Sequence, residues 1–191
     1  MCEITVKTFK APFVNKKEIL RYAKSPELNE EILSLLEEAI NLTDSQIEYK
    51  VCYTVLPLEI KGNECKFPCF SLYSRDLSKN LSGCKEAVVF AATLGVGVDR
   101  LINKYSRIAP SKALLIDAYA AERIEALCDE FTKSLNFKTK PRFSAGYGDL
   151  NIETQKEIFS LLNPAKNIGL TLNESQMMSP SKSVTAFMGI V

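Results

Sequence analysis

Ala87-Val88-Val89-Phe90-Ala91-Ala92 carries no polar residue on either face. A strand points successive side chains to opposite faces, so a run that is apolar on both reads as a central strand covered on both sides. Past it, Leu94-Gly95-Val96-Gly97-Val98-Asp99 leads into helical sequence. A nucleotide-binding glycine loop would need a third glycine where Arg100 stands, and no strand with an acidic end follows, so a tight strand-to-helix turn is the simpler reading. From Pro110 to Leu135, apolar residues at Ala113, Ile116, Ala120, Ile124, Leu127, Phe131 and Leu135 recur every three or four positions and draw one stripe down a long helix. Small residues at Ala118, Ala120 and Ala121 would let another element pack close. Glu122 and Glu125 lie on that helix, where a surface role is the simpler reading and a place facing a site the alternative.

Upstream, Ser74 to Leu81 reads as a short helix. Tyr49, Val51, Tyr53 and Val55 alternate with Lys50, Cys52 and Thr54, which marks a strand. Beyond Pro57 a second alternating stretch turns at Gly62-Asn63, a favoured hairpin dipeptide, and returns through Cys65, Phe67 and Phe70. Residues 1–10 alternate as a short edge strand. Asn15-Lys16-Lys17-Glu18 has the form of a capping box opening a helix through Ile19, Leu20 and Tyr22. Ser25-Pro26 supplies the cap and first-turn proline of a second helix, with Leu28, Ile32, Leu35, Leu36 and Ala39 inward and an end near Asn41. Its acidic residues Glu30, Glu31, Glu37 and Glu38 read as a solvated face.

Towards the C-terminus, Asn151 to Leu162 reads as a helix with Ile152, Ile158, Leu161 and Leu162 inward, stopped by Asn163-Pro164. Leu170 to Leu172 forms a short strand, and Lys182 to Val191 alternates again to close the sheet. Strands clustered around long helices, without a regular strand-helix repeat, predict an α+β fold: a mixed or antiparallel twisted sheet packed with several helices, in one unit spanning 1–191.

Composition narrows the function. With 191 residues, 46% of them hydrophobic, the chain can bury a sizeable core. The 24 basic and 23 acidic residues are interspersed, so no phosphate-backbone footprint is visible and nucleic-acid binding is not expected. No run approaches the roughly 20 apolar residues of a membrane span, and Glu3 and Lys7 interrupt the only short apolar N-terminal stretch, so a cytoplasmic location is expected. The six cysteines form no Cys-x-x-Cys pair, and Cys52 and Cys128 read as core residues. Cys65 and Cys69 lack the two further ligands a metal site requires. The chain has no histidine, which excludes serine-histidine and cysteine-histidine hydrolases. It also leaves no imidazole to offer to a metal ion.

The chemistry-bearing stretch is Arg142-Phe143-Ser144-Ala145-Gly146-Tyr147-Gly148-Asp149. It is too rich in glycine and too short of apolar rhythm for a helix or strand, and reads as a ligand loop. An arginine fork suits a carboxylate or phosphate, glycine admits a close backbone approach, and tyrosine offers an aromatic face with a polar tip. Together they suit a small zwitterionic or cationic ligand. The alternative for Arg142 is an ion pair that staples the loop; for Tyr147 it is core packing.

This loop is followed by an acidic helix, by Leu170-Thr-Leu-Asn-Glu-Ser-Gln-Met-Met-Ser-Pro180 and by Lys182-Ser-Val-Thr-Ala186. In order and spacing these blocks resemble the activation domain of cobalamin-dependent methionine synthase, in its short free-standing form. The likeness covers 93–191 and thins over 1–92. It implies a component of methionine biosynthesis that binds S-adenosylmethionine for reductive methylation of oxidised cobalamin. The cobalamin would sit on a partner, a corrinoid-bearing methionine synthase core protein, with a flavodoxin-like protein donating the electron. It further implies a ligand set of Arg142, Ala145, Gly146 and Tyr147: Arg142 on the ligand carboxylate, Gly146 admitting the backbone, and Tyr147 near the adenosine or sulfonium. Asn15 aligns with an acidic ligand contact near the family's N-terminal helix, and the family's long forms add an aromatic contact from a tail beyond the last strand. Two other roles are compatible with the same residues: a non-catalytic docking module for a corrinoid protein, and a reactivator of another corrinoid methyltransferase.

Overall fold

The computed structural model describes residues 3–24 and 30–191. β1 (Thr5–Thr8) leads to α1 (Lys16–Tyr22) and α2 (Glu30–Asp44), and β2 (Lys50–Pro57) follows. A hairpin of β3 (Glu59–Lys61) and β4 (Glu64–Lys66) adds β5 (Ser71–Tyr73), and α3 (Arg75–Asn80) precedes β6 (Glu86–Thr93). Then come α4 (Val96–Ile108) and α5 (Pro110–Lys133). After the loop and a 3-10 turn at Ile152–Thr154 come α6 (Gln155–Leu162), α7 (Pro164–Ile168), β7 (Thr171–Leu172), β8 (Met178–Ser179) and β9 (Ser183–Gly189).

The main sheet has the order β1-β2-β6-β9 and is antiparallel throughout, with Tyr53 opposite Phe90 and Phe90 opposite Ala186. β6 is interior, as its two apolar faces require. One face, through Val88, Phe90 and Ala92, packs with Ala120, Ile124, Leu127 and Phe131 of α5. The other, through Ala87, Val89 and Ala91, meets the β3-β4-β5 hairpin sheet, α3, α6 and α7. A third apolar cluster joins α1 and α2 to α5 through Ile19, Leu36, Ala39 and Ile116. The predicted α+β architecture is therefore observed, with α5 at the centre of the helical layer.

Several expectations are corrected. β2 is apolar towards both layers, because Cys52 and Leu56 join the core opposite to Val51. The Asn15 side chain accepts from the Glu18 N–H at 3.4 Å, but Glu18 does not complete the capping box: it pairs with Arg21, and Glu122 takes the Asn15 N–H at 3.1 Å. α2 runs to Asp44, past the expected end at Asn41. Ile152 faces outward rather than into the core. Pro164 does not only stop a helix; it sits at the first turn of α7. Ser25, Pro26 and Leu28 lie outside the described residues.

Candidate functional site

The loop is pinned at both ends. Phe143 makes an antiparallel bridge to Phe187 on the free edge of β9, with both N–H···O distances at 2.9 Å. This backbone ladder fixes the residue next to Arg142. At the far end the Asp149 carboxylate accepts from the N–H groups of Arg75 at 2.9 Å and Asp76 at 3.2 Å, and from the Ser74 hydroxyl. Ser74 is itself the N-cap of α3, so the loop is tied to a helix start through the cap. Gly146 turns the chain between these anchors with φ +87°, and its N–H donates to Leu150 O at 2.9 Å. A residue with a Cβ would be strained there.

Between loop, α5 and the start of β9 lies a cleft of about 400 Å³. Arg142, Ala145 and Tyr147 line it from the loop, and Ser183, Val184 and Thr185 from β9. Met178 of β8 and Gln155 of α6 complete the wall. Gln155 is buried, and its Oε1 has no hydrogen-bond partner among the described residues. The β9 contribution is held by Asp99, which accepts from Ser181 N and Oγ at 2.8 and 2.6 Å, and by Lys182 paired with Asp117 at 2.8 Å.

Arg142 donates to Asp129 at 2.6 Å and to Glu125 at 2.9 Å, one carboxylate for each terminal nitrogen. Burial works to lower its pKa, but the hydrogen bond to Asp129 and the charges of Asp129 and Glu125 outweigh that and raise it. The guanidinium is a fixed cation. Glu125 also lines a second cleft of about 390 Å³, whose wall includes Asn15, Phe13, Tyr22 and Asp129. The two clefts thus share the wall formed by Glu125, with Arg142 bonded across it.

Of the residues singled out in sequence, Arg142, Ala145 and Tyr147 come together in one cleft. Asn15 lies in the neighbouring one, and Gly146 serves the turn without lining either. Tyr147 is 69% exposed, so the core-packing alternative falls. Arg142 makes the ion pairs of the alternative reading and also lines the cleft. The surface reading fails for Glu122, which is 5% exposed; Glu125 is exposed, as that reading had it, and lines both clefts. Missed in sequence were Asp129 and Gln155, while Met178 belonged to a quoted block without being singled out. Glu125 and Asp129 are spaced i, i+4 on α5, a spacing that puts two carboxylates on one helix face and was available as a signal. Gln155 carried none.

The arrangement can hold a ligand with a carboxylate for Arg142, a donor for the Gln155 carbonyl, and an aromatic or cationic part against Tyr147. Among the described residues no cluster of three or more histidine, cysteine or acidic side chains is placed to hold a metal ion, and no helix is long and apolar enough to cross a membrane. The molecule is thus an α+β protein with a cleft between a long helix and the edge of an antiparallel sheet. No protein-family model and no curated protein matches the chain. Among solved structures it is similar to the MetH reactivation domain bound to AdoHcy, with a TM-score of 0.73 over 98% of this chain and 78% of that one, at 14% sequence identity. The fold is that of the methionine synthase reactivation domain, and the likeness extends through 1–92, where the motifs thin out.

Proposed function

We propose that this chain binds S-adenosylmethionine and serves as a reactivation subunit for a cobalamin-dependent methionine synthase whose corrinoid is carried by a partner chain. One observation carries the reading. The three sequence blocks Arg142–Asp149, Leu170–Pro180 and Lys182–Ala186, separate in the chain, converge on a single cleft through Arg142 and Tyr147, Met178, and Ser183 to Thr185. The volume of that cleft falls in the range of small-molecule sites, and the fold is one that a solved relative presents with AdoHcy bound.

The residues fit the ligand. Arg142 offers its fork to the amino-acid carboxylate, and Glu125 and Asp129, the present partners of that fork, lie where the adjoining ammonium would be balanced. The unpartnered Gln155 carbonyl accepts from an N–H or O–H, both of which the adenosine half carries. Tyr147 supplies an exposed aromatic face, attractive to an electron-poor sulfonium. When bound, S-adenosylmethionine supplies a methyl group activated on positive sulfur; this chain's part is to bind and orient it.

A second reading, a docking module that recognises a corrinoid protein without delivering a methyl group, is favoured by the double ion pair that already occupies Arg142. Reactivation of another corrinoid methyltransferase would keep the chemistry and change the partner. The test is incubation with a methionine synthase core holding oxidised cobalamin, a reductant and S-adenosylmethionine labelled in the methyl group. Label reaching the corrinoid protein only when this chain is present supports reactivation. Co-purification with the core and no label transfer supports docking, and neither result rejects both.

A further inference from the structure

On α1, at the end of α5 and at the start of α6, a base is answered by an acid one turn away: Arg21 pairs with Glu18, Lys133 with Glu130 and Lys156 with Glu153. α4 departs from this rule. Its Arg100, Lys104 and Arg107 follow one another at i, i+4 and i+7, a spacing that aligns them along one face, and all three are exposed. Like charges so spaced oppose each other and weaken the helix that carries them. Among the described residues Arg21, Arg75, the buried Arg123 and Arg142 each hold a carboxylate. No carboxylate bonds Arg100 or Arg107, and Lys104 meets the ring of Tyr105, 5.4 Å from its centroid. Asp99, the acid that α4 does carry, is taken up by Ser181. A row of bases that works against its own helix is explained by something it meets, not by the fold.

Val96 and Ile108 stand at the two ends of the row, 47% and 66% exposed. Arginine beside exposed apolar side chains is the composition of a protein interface. An acidic surface would cancel the repulsion along α4, and each arginine fork takes a carboxylate in bidentate fashion. A second copy of this chain does not offer such a surface. On its acidic helices Glu37 holds Lys16, Glu38 holds Lys112, and Glu125 and Asp129 hold Arg142. The occupant is therefore a different chain. The row is also joined to the cleft: Asp99, the residue before Arg100, holds Ser181, two residues ahead of Ser183 in the cleft wall. A partner at the cleft mouth can grip α4 at the same time.

We infer that the face of α4 carrying Arg100, Lys104 and Arg107 docks an acidic surface of the corrinoid-bearing partner chain. The inference rests on the reactivation reading above. Neither arginine lines the cleft, so mutation separates the docking face from the ligand site. The test titrates this chain into a methionine synthase core holding cobalamin, at low and at high salt, and follows the chain alone by sedimentation velocity. Arg100→Glu combined with Arg107→Glu places a carboxylate one turn to either side of Lys104, which favours the helix. This double variant should bind the core at least about tenfold more weakly. It should also lose most of the parent's salt sensitivity and keep the parent's affinity for S-adenosylmethionine. Arg100→Gln with Arg107→Gln should fall between the two.

A charge-reversed variant that binds the core as tightly as the parent overturns the docking face and leaves the reactivation reading standing. So does a parent whose binding to the core is insensitive to salt. An equal loss of affinity for core and for S-adenosylmethionine overturns the separation of face from cleft. Self-association of the parent that the same substitutions abolish assigns the face to a second copy and overturns the inference. A parent with no affinity for the core overturns the reading beneath the inference, and the inference with it.

Discussion

Asp149 shows how single side chains set the geometry of the loop. Its pKa is lowered first by the Ser74 hydroxyl and then by the N–H groups of Arg75 and Asp76. The folded value lies below the unfolded one, so this anchor contributes fully above the ordinary value of 3.8 and is lost as pH falls through the depressed value. Protection of the Gly146 amide, whose N–H is bonded within the anchored loop, should hold from neutral pH down to that range and fall below it when exchange is compared with the intrinsic rate at each pH. Asp149→Asn should exchange faster already at neutral pH and lose the acid dependence; an unchanged profile would show that the loop is held elsewhere. At this scale Arg142 and Tyr147 were legible, because an arginine, two glycines and a tyrosine in eight residues carry their chemistry wherever they are folded. Glu125 was legible only as an alternative to a surface role, and Asp129 and Arg123 were not. Their roles depend on which remote segment packs against α5, and helical spacing alone cannot tell a solvated carboxylate from one that faces an arginine of a loop.

Among the elements, α5 was the most legible, its stripe unbroken from Ala113 to Phe131. Phe131 is buried among Tyr53 and Phe90, both with ring centroids at 5.0 Å, and Phe9 at 6.5 Å. Phe131→Ala should cost about 3–5 kcal/mol of stability, read as a lowered midpoint in urea unfolding. A loss below about 1 kcal/mol would mean the cluster collapses into the space. The glycines after β6 were read as a tight turn rather than a nucleotide loop, and the structure supplies the reason. A Cβ on Gly97 would stand 2.4 Å from the backbone oxygen of Gln46, so α4 approaches the chain beyond α2 too closely for any side chain. Gly97→Ala gains about 1 kcal/mol of helix propensity, yet the clash is with backbone that cannot rotate away. The variant should be less stable by roughly 1–3 kcal/mol; a more stable variant would contradict this packing. By contrast β5, β8 and α7 span two to five residues, too few for a period to show. They take their conformation from the partner elements.

For the molecule as a whole, the sheet order β1-β2-β6-β9 places the last strand at an edge, where its backbone can bridge the loop that precedes it by about forty positions. The apolar pattern predicted that β6 is central and that the C-terminal strand closes the sheet. It could not predict that the open edge of β9 would carry the loop, because edge pairing by one bridge leaves no trace in hydrophobic rhythm. That edge is what gathers Arg142, Tyr147, Ser183 and Thr185 around one cleft. The central claim, that this cleft binds S-adenosylmethionine through Arg142, is tested most directly by calorimetric titration of the parent and of Arg142→Ala, with folding of both checked by circular dichroism. The account predicts saturable one-site binding by the parent and a loss of at least about tenfold in the variant, the order expected for a charge-assisted bidentate contact. Binding that survives Arg142→Ala unchanged would contradict it.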